Sequence, residues 1–228
     1  MNFKFFLAAF LFFSSTEFAK AQSYFPHKSI SPHLIEPSLE IGSKEWENQI
    51  AQVLKAQKNY DMDELDEAIA EKHLQPETIA QAIDRSITRA DYPKVYHLMD
   101  RVGDTSRAET DAIKEYWNQQ RPYLSDSRIK MLITPSRGGS YPSGHATGSY
   151  IYANVLGLLF PQNRDKYFAY ANKVGAHRIM IGMHYPRDIA AGKSLSFLIV
   201  GGLTQSAEFR KDFQNALREI EQKKIAVN

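Results

Sequence analysis

The stretch PSGHATGSYIYANVLGLLF, residues 142–160, opens on turn-forming and small residues and continues as an apolar run. From His145 to Phe160 it is apolar on nearly every side, and a helix with that pattern belongs inside a protein rather than on its surface. Residues 145–160 are therefore expected to form a central buried helix. Ser143 and Gly144 just before it allow a close backbone approach, and the start of a helix offers unpaired N–H groups to an anion. A histidine in the next position would stand at the lip of that cradle with a proton to give.

Helical periodicity continues on both sides of this stretch. Ser43 is an expected N-cap, and Trp46, Ile50, Val53 and Leu54 follow at spacings that share one face. Residues 62–73 and 77–89 read as two helices parted at Pro76, and residues 93–102 as another that ends near Gly103. Asp104 or Thr105 is expected to cap the next helix, which runs to about Gln120 and is stopped by Pro122. Downstream, helices are expected over 164–181, 187–204 and 206–224, the last amphipathic through Phe209, Phe213, Leu217 and Ile220. Only RIKMLIT, residues 128–134, weakly suggests a strand. The expected fold is all-α: a single-domain helical bundle over residues 43–228, with residues 22–42, which contain Pro26, Pro32 and Pro37, as an extended arm lying on it.

The first residues follow a different logic. Asn2 and Lys4 are followed by an apolar run over residues 5–13, then a polar stretch that ends in Ala19-Lys20-Ala21. This is the layout of a secretory signal peptide, with cleavage expected after Ala21 and a periplasmic or secreted destination. The run is well short of the ~20 residues that span a bilayer. The apolar stretches of residues 150–160 and 195–203 have the length of core helices, so no stable membrane insertion of the mature chain is expected. Loss of residues 1–21 removes two lysines and one glutamate, and the formal charge of +2 becomes +1. No basic run longer than two residues is present, which argues against nucleic acid as a partner. Cysteine is absent, which excludes thiol chemistry and cysteine-ligated metals.

The charged residues that remain fall in a pattern. Lys114 and Arg121 are seven apart on one expected helix, so both would point the same way, two turns apart; a solvated cationic face is the ordinary alternative. Arg178 lies among Val174, Ile179 and Ile181, and a buried guanidinium requires an anion, either a ligand or a core carboxylate. In HYPRD, residues 184–188, His184 and Asp188 are i and i+4 across Pro186. The carboxylate can accept the Nδ1–H of the imidazole and leave Nε2 as a free lone pair; a helix-capping aspartate or a metal-ligating pair are the alternatives. His27, His33, His73, His97 and His177 complete no recognisable zinc motif. Three cations, a small-residue cradle and two histidines are together the parts needed to attack and protonate a bound phosphoryl group.

Lys114-x6-Arg121-Pro122, then Pro142-Ser143-Gly144-His145, then Arg178-x5-His184-x3-Asp188 resembles the three-part signature of the type 2 phosphatidic acid phosphatase superfamily. Within it, the chain is similar to the bacterial class A non-specific acid phosphatases. The resemblance implies that His184 is the nucleophile that forms a phosphohistidine, that Asp188 orients it, and that His145 is the general acid and then the base. It implies that Lys114, Arg121, Arg178, Ser143 and the Gly144 N–H hold the phosphate oxygens, with no metal and no cofactor. The activity it implies is that of an acid phosphatase acting on small phosphorylated substrates. A phosphatase for lipid-linked phosphates or diphosphates, a vanadate-dependent haloperoxidase and an inactive phosphate-binding protein are the alternatives. Self-association into a homo-oligomer is compatible with the sequence. The third block usually begins Ser-Arg in this family; here His177 takes the first position.

Overall fold

The computed structural model describes residues 23–135 and 138–227, so the expected leader, residues 1–21, lies outside the described residues. Among the described residues every regular element is helical, and the segment 128–134 is loop. Helix α1, Lys44–Asn59, starts where expected, with the Ser43 hydroxyl accepting the Trp46 N–H at 3.1 Å. Helix α2, Met62–Ala70, opens on a reciprocal cap between Asp61 and Glu64, which satisfies two donors that a helix start leaves unpaired. Helix α3, Pro76–Ile83, is shorter than its expected 77–89. The Asp84 carboxylate accepts the Ser86 N–H and hydroxyl at 2.9 and 2.6 Å, and this local turn replaces another helical turn.

The largest departure from expectation is helix α4, Pro93–Trp117, which runs straight through Gly103. Gly103 is a contact point, not a stop: a Cβ there would collide with the hydroxyl of Tyr152. Thr105 caps nothing; its hydroxyl donates to the Arg101 carbonyl one turn back at 2.8 Å. The helix ends when Asn118 enters the left-handed region at φ 41°. A short helix α5, Pro122–Ser125, follows, with the proline at its first position.

Helix α6, Gly144–Leu159, is the expected central element. Ile151, Ala153 and Val155 are fully buried, and the helix packs against α4, against α7 (Arg164–Met180) and against α8 (Pro186–Gln205). Helix α9, Ala207–Val227, closes the bundle over α4 and α8. Each fully buried aliphatic side chain of this core contributes roughly 1.5–3 kcal/mol relative to exposure. The approach of α8 to the start of α6 depends on Gly192, where a Cβ would come within 2.8 Å of the Ser143 carbonyl oxygen and 2.9 Å of the Ala146 Cβ. This contact brings the turn before α6 and the first turn of α8 together, and the site lies there.

Residues 23–41 run along α4 with one 3₁₀ turn, Pro32–Leu34. They are held by their backbone: Tyr24 N–H donates to the Thr105 hydroxyl, Ser29 and Ile30 N–H to the Glu109 carboxylate, and Leu39 N–H to the Gln119 side chain.

Candidate active site

His184 lies in the turn between α7 and α8. Gly182, at φ 78°, allows that turn, and a Cβ there would lie 2.7 Å from the Lys130 carbonyl oxygen. The next two backbone N–H groups, of Met183 and His184, donate to the Arg178 carbonyl at 3.1 and 3.2 Å. Asp188, on the first turn of α8, takes two donors on one oxygen: the Tyr185 N–H at 2.9 Å and His184 Nδ1 at 3.2 Å. On the far side of the ring, Arg121 Nη1 stands 3.3 Å from His184 Nε2. A guanidinium only donates and a carboxylate only accepts, so these neighbours select the neutral ring with its proton on Nδ1 and a lone pair on Nε2. Burial, reinforced by the charges of Arg121, Lys114 and Arg178, holds His184 well below the usual histidine range. Burial also pushes the Asp188 carboxyl upward.

Arg121 reaches this point from outside α4. The helix that was expected to carry both cations on one face ends at Trp117, and the left-handed turn at Asn118 redirects the chain. The two cations do meet at one site, but a turn brings them there rather than helical periodicity. Arg121 is buried and further held by the carbonyls of Gly138 and Met183 at 3.0 and 3.1 Å. Lys114, on the last turn of α4, donates to the carbonyls of Gly139 and Ser140 at 2.9 and 3.2 Å. Burial, then the charge of Arg121, lowers its pKa from the usual lysine value.

The cradle at the start of α6 is tied to the His184 side. Ser143 N–H donates to the Asp188 carbonyl at 3.0 Å, and its hydroxyl caps the helix by accepting the Ala146 N–H at 3.3 Å. The helix itself supplies no acceptor for the first amides, those of Gly144 and His145. A Cβ on Gly144 would lie 3.9 Å from the Lys114 Cε, so Lys114 and the cradle border the same space.

Arg178 and His145 share a partner that no local motif names. Arg178 Nη2 donates to the Ala68 carbonyl at 2.6 Å and to Glu71 Oε2 at 3.1 Å. The core carboxylate weighed as one partner for this arginine is present, yet its Nε remains buried with no acceptor among the described residues. His145 Nε2 donates to the Glu71 carbonyl at 3.0 Å, and burial, followed by the charge of Arg178, brings its pKa down to about 4. His177 is buried and bonds the same Glu71 oxygen through Nδ1 at 3.0 Å.

In front of His145 and Gly144 opens a pocket of about 390 Å³, walled by the loop between α2 and α3 and by α4. Its lining is polar and apolar in equal measure, with Lys72, His73, Gln75, Arg107 and Asp111 among the wall residues. Of the expected site residues, Gly144 and His145 line this pocket, while Asp188 bonds His184 and the charges of Arg121, Lys114, His145 and Arg178 act on that ring. Glu71 is the addition. No group of three or more His, Asp or Glu side chains among the described residues is placed to hold a metal ion. No helix among them is long and apolar enough to cross a membrane.

A helical bundle that gathers three cations and two histidines at a helix start is an anion-handling site of the phosphatase kind. Residues 105–212 match the model of the PAP2 superfamily, and this segment of the chain is a domain of that superfamily. The chain is homologous to bacterial acid phosphatases. It is 27% identical over 195 residues to the non-specific acid phosphatase of Providencia stuartii, covering 82% of this chain and 79% of that protein. It is 28% identical over 145 residues to the acid phosphatase of Zymomonas mobilis subsp. mobilis, covering 60% of this chain and 55% of that one. Among solved structures, a transmembrane PAP2 type phosphatidylglycerolphosphate phosphatase from Bacillus subtilis superposes with a TM-score of 0.50 at 21% identity, over 71% of this chain and 88% of its own. That likeness is one of fold.

Proposed function

We propose that the chain is an exported acid phosphatase that hydrolyses phosphomonoesters through a phosphohistidine, without a metal. The observation that carries this reading is the fixed neutral ring of His184, held between Asp188 and Arg121 with its lone pair on Nε2. On substrate binding, Arg121 turns its N–H from that lone pair to a phosphoryl oxygen, and Lys114, Arg178 and the start of α6 take the others. The negative charge of the substrate favours the protonated forms of Lys114 and His145, opposing the burial that lowers both.

In the first half-reaction Nε2 bonds to phosphorus while the ester P–O bond breaks. Because His145 Nε2–H is committed to the Glu71 carbonyl, Nδ1 of the imidazolium is the nitrogen that can protonate the departing oxygen. The positive charge that develops on His184 meets the Asp188 carboxylate. In the second half-reaction water attacks phosphorus, His145 takes its proton, the P–N bond breaks, and phosphate leaves with His184 neutral again. The charged side chains of Lys72, Arg107 and Asp111 in the pocket wall beside His145 suit a water-soluble leaving alcohol better than an acyl chain. The leader-like residues 1–21 support export.

The test is a rapid acid quench with labelled 4-nitrophenyl phosphate after exhaustive treatment with EDTA. The expected result is turnover at the untreated rate and a trapped, acid-labile phosphoenzyme. Activity that vanishes on chelation and returns with zinc or magnesium would overturn the mechanism.

A further inference from the structure

Glu71 follows directly on α2 as its C-cap and is 2% exposed. A buried carboxylate is costly unless paired, so its surroundings call for an account. Oε2 receives two donors, Arg178 Nη2 at 3.1 Å and His177 Nδ1 at 3.0 Å, and its main-chain carbonyl receives His145 Nε2 at 3.0 Å. One residue therefore touches both a phosphate-side cation and the proton donor, and it does so from the end of α2, whose Ala68 carbonyl also holds Arg178. The ends of the Arg178 guanidinium are not equivalent. Nη2 is held by Ala68 and Glu71, whereas Nε has no acceptor among the described residues.

We infer that Glu71 is a positioning residue of this site, an inference that rests on the phosphatase reading: its carboxylate aims Arg178 and offsets part of its charge, while its carbonyl fixes the ring of His145. Three cations around a small anion bind product as well as substrate, and a carboxylate about 3 Å from one of them weakens the grip on phosphate. At that separation in a buried setting the offset is far larger than in water. His177 has a task in this arrangement. Its Nδ1–H keeps Oε2 aligned and takes up part of the carboxylate's acceptor capacity, which the serine usual at this position is too short to do in the same way.

The experiment compares wild type, Glu71→Gln, Glu71→Ala and His177→Ser by calorimetric titration with inorganic phosphate, with kcat and KM on 4-nitrophenyl phosphate alongside. Melting curves and circular dichroism report the folded fraction. Glu71→Gln keeps the shape and the carbonyl but removes the charge, so phosphate is expected to bind about tenfold tighter, about 1.4 kcal/mol, while kcat falls as release slows. Glu71→Ala frees Arg178 and is expected to weaken phosphate and lower kcat. His177→Ser leaves the carboxylate wholly to Arg178, so phosphate should bind a few-fold more weakly; this variant decides the matter if the Glu71 variants do not fold. Unchanged phosphate affinity in the folded fraction of both Glu71→Gln and His177→Ser overturns the inference and reduces Glu71 to a structural ion pair. A wild type that binds phosphate but turns over no phosphomonoester defeats the phosphatase reading instead, and the binding data still decide the role of Glu71.

Discussion

His184 and His145 face one site from opposite surroundings. His184 is sealed: it is 2% exposed, with Asp188 on one nitrogen and Arg121 on the other. His145 lines an open pocket and is held by main-chain groups at the end of α2, the Glu71 carbonyl among them. The difference matches the roles proposed for the two rings. A nucleophile meets the same phosphorus in every substrate, so a fixed tautomer and exclusion of water help it. A proton donor meets a different alcohol each time, and a rigid enclosure would restrict which alcohols it serves.

The contrast predicts unequal consequences of losing each ring. His184→Ala is expected to bring turnover down to background on every phosphomonoester and to leave no phosphoenzyme after acid quench. Residual turnover on any ester would mean that the sealed side is not where the covalent bond forms. His145→Ala should depend on the leaving group: roughly 10²–10⁴-fold loss on alkyl phosphates, which need a proton, and a much smaller loss on 4-nitrophenyl phosphate. Equal losses on both would erase the distinction between the two sides.

The next effect is one of pH. In the proposed mechanism Lys114 must be charged to hold a phosphoryl oxygen, and its pKa is lowered by burial and Arg121. Activity should therefore fall as pH rises, well before an ordinary lysine would titrate, which places the optimum on the acid side. Lys114→Arg keeps its charge at any accessible pH, so its kcat/KM profile should hold up to higher pH than that of wild type. Superimposable alkaline limbs would remove Lys114 from the ionisations that matter.

The smallest expected effect is on stability. His184 and His145 are held below the ordinary value of 6.5, His145 to about 4. The unfolded chain therefore binds more protons than the folded one across that window, and stability present at neutral pH is lost as pH falls from about 6.5 towards 4. Melting temperature should drop over this interval, and His145→Gln should flatten the drop. Added phosphate should restore more stability at the acid end than at pH 7, since an anion favours both protonated rings.

Much of this site was legible because its parts are local. The run after Ser143 is apolar all round and could only be a core helix, and His184 and Asp188 lie four residues apart across a proline that starts a helix. Two features were not legible, each for a physical reason. Gly103 carries the same letter whether it ends a helix or makes room for a neighbour, and the neighbour, Tyr152, lies 49 positions on. Glu71 sits in an acidic stretch with Glu64 and Glu67, both exposed, and nothing local separates it from them. Arg178 in an apolar face did signal that a carboxylate could pair with it. Only the packing of α2 against α7 shows which one, since buried Ala68 and Glu71 face inward three residues apart.

The segment over residues 23–41 has a consequence of another kind. Glu109 is a carboxylate 1% exposed in the middle of α4, and the donors on its two oxygens are the backbone amides of Ser29 and Ile30. The segment is in effect a tethered peptide ligand of the bundle, recognised through its main chain and through the buried side chains of Tyr24, Ile35 and Leu39, and kept at high effective concentration by its tether to α1. A single cut between it and α1 would turn an intramolecular contact into a bimolecular one, and its retention would then depend on concentration.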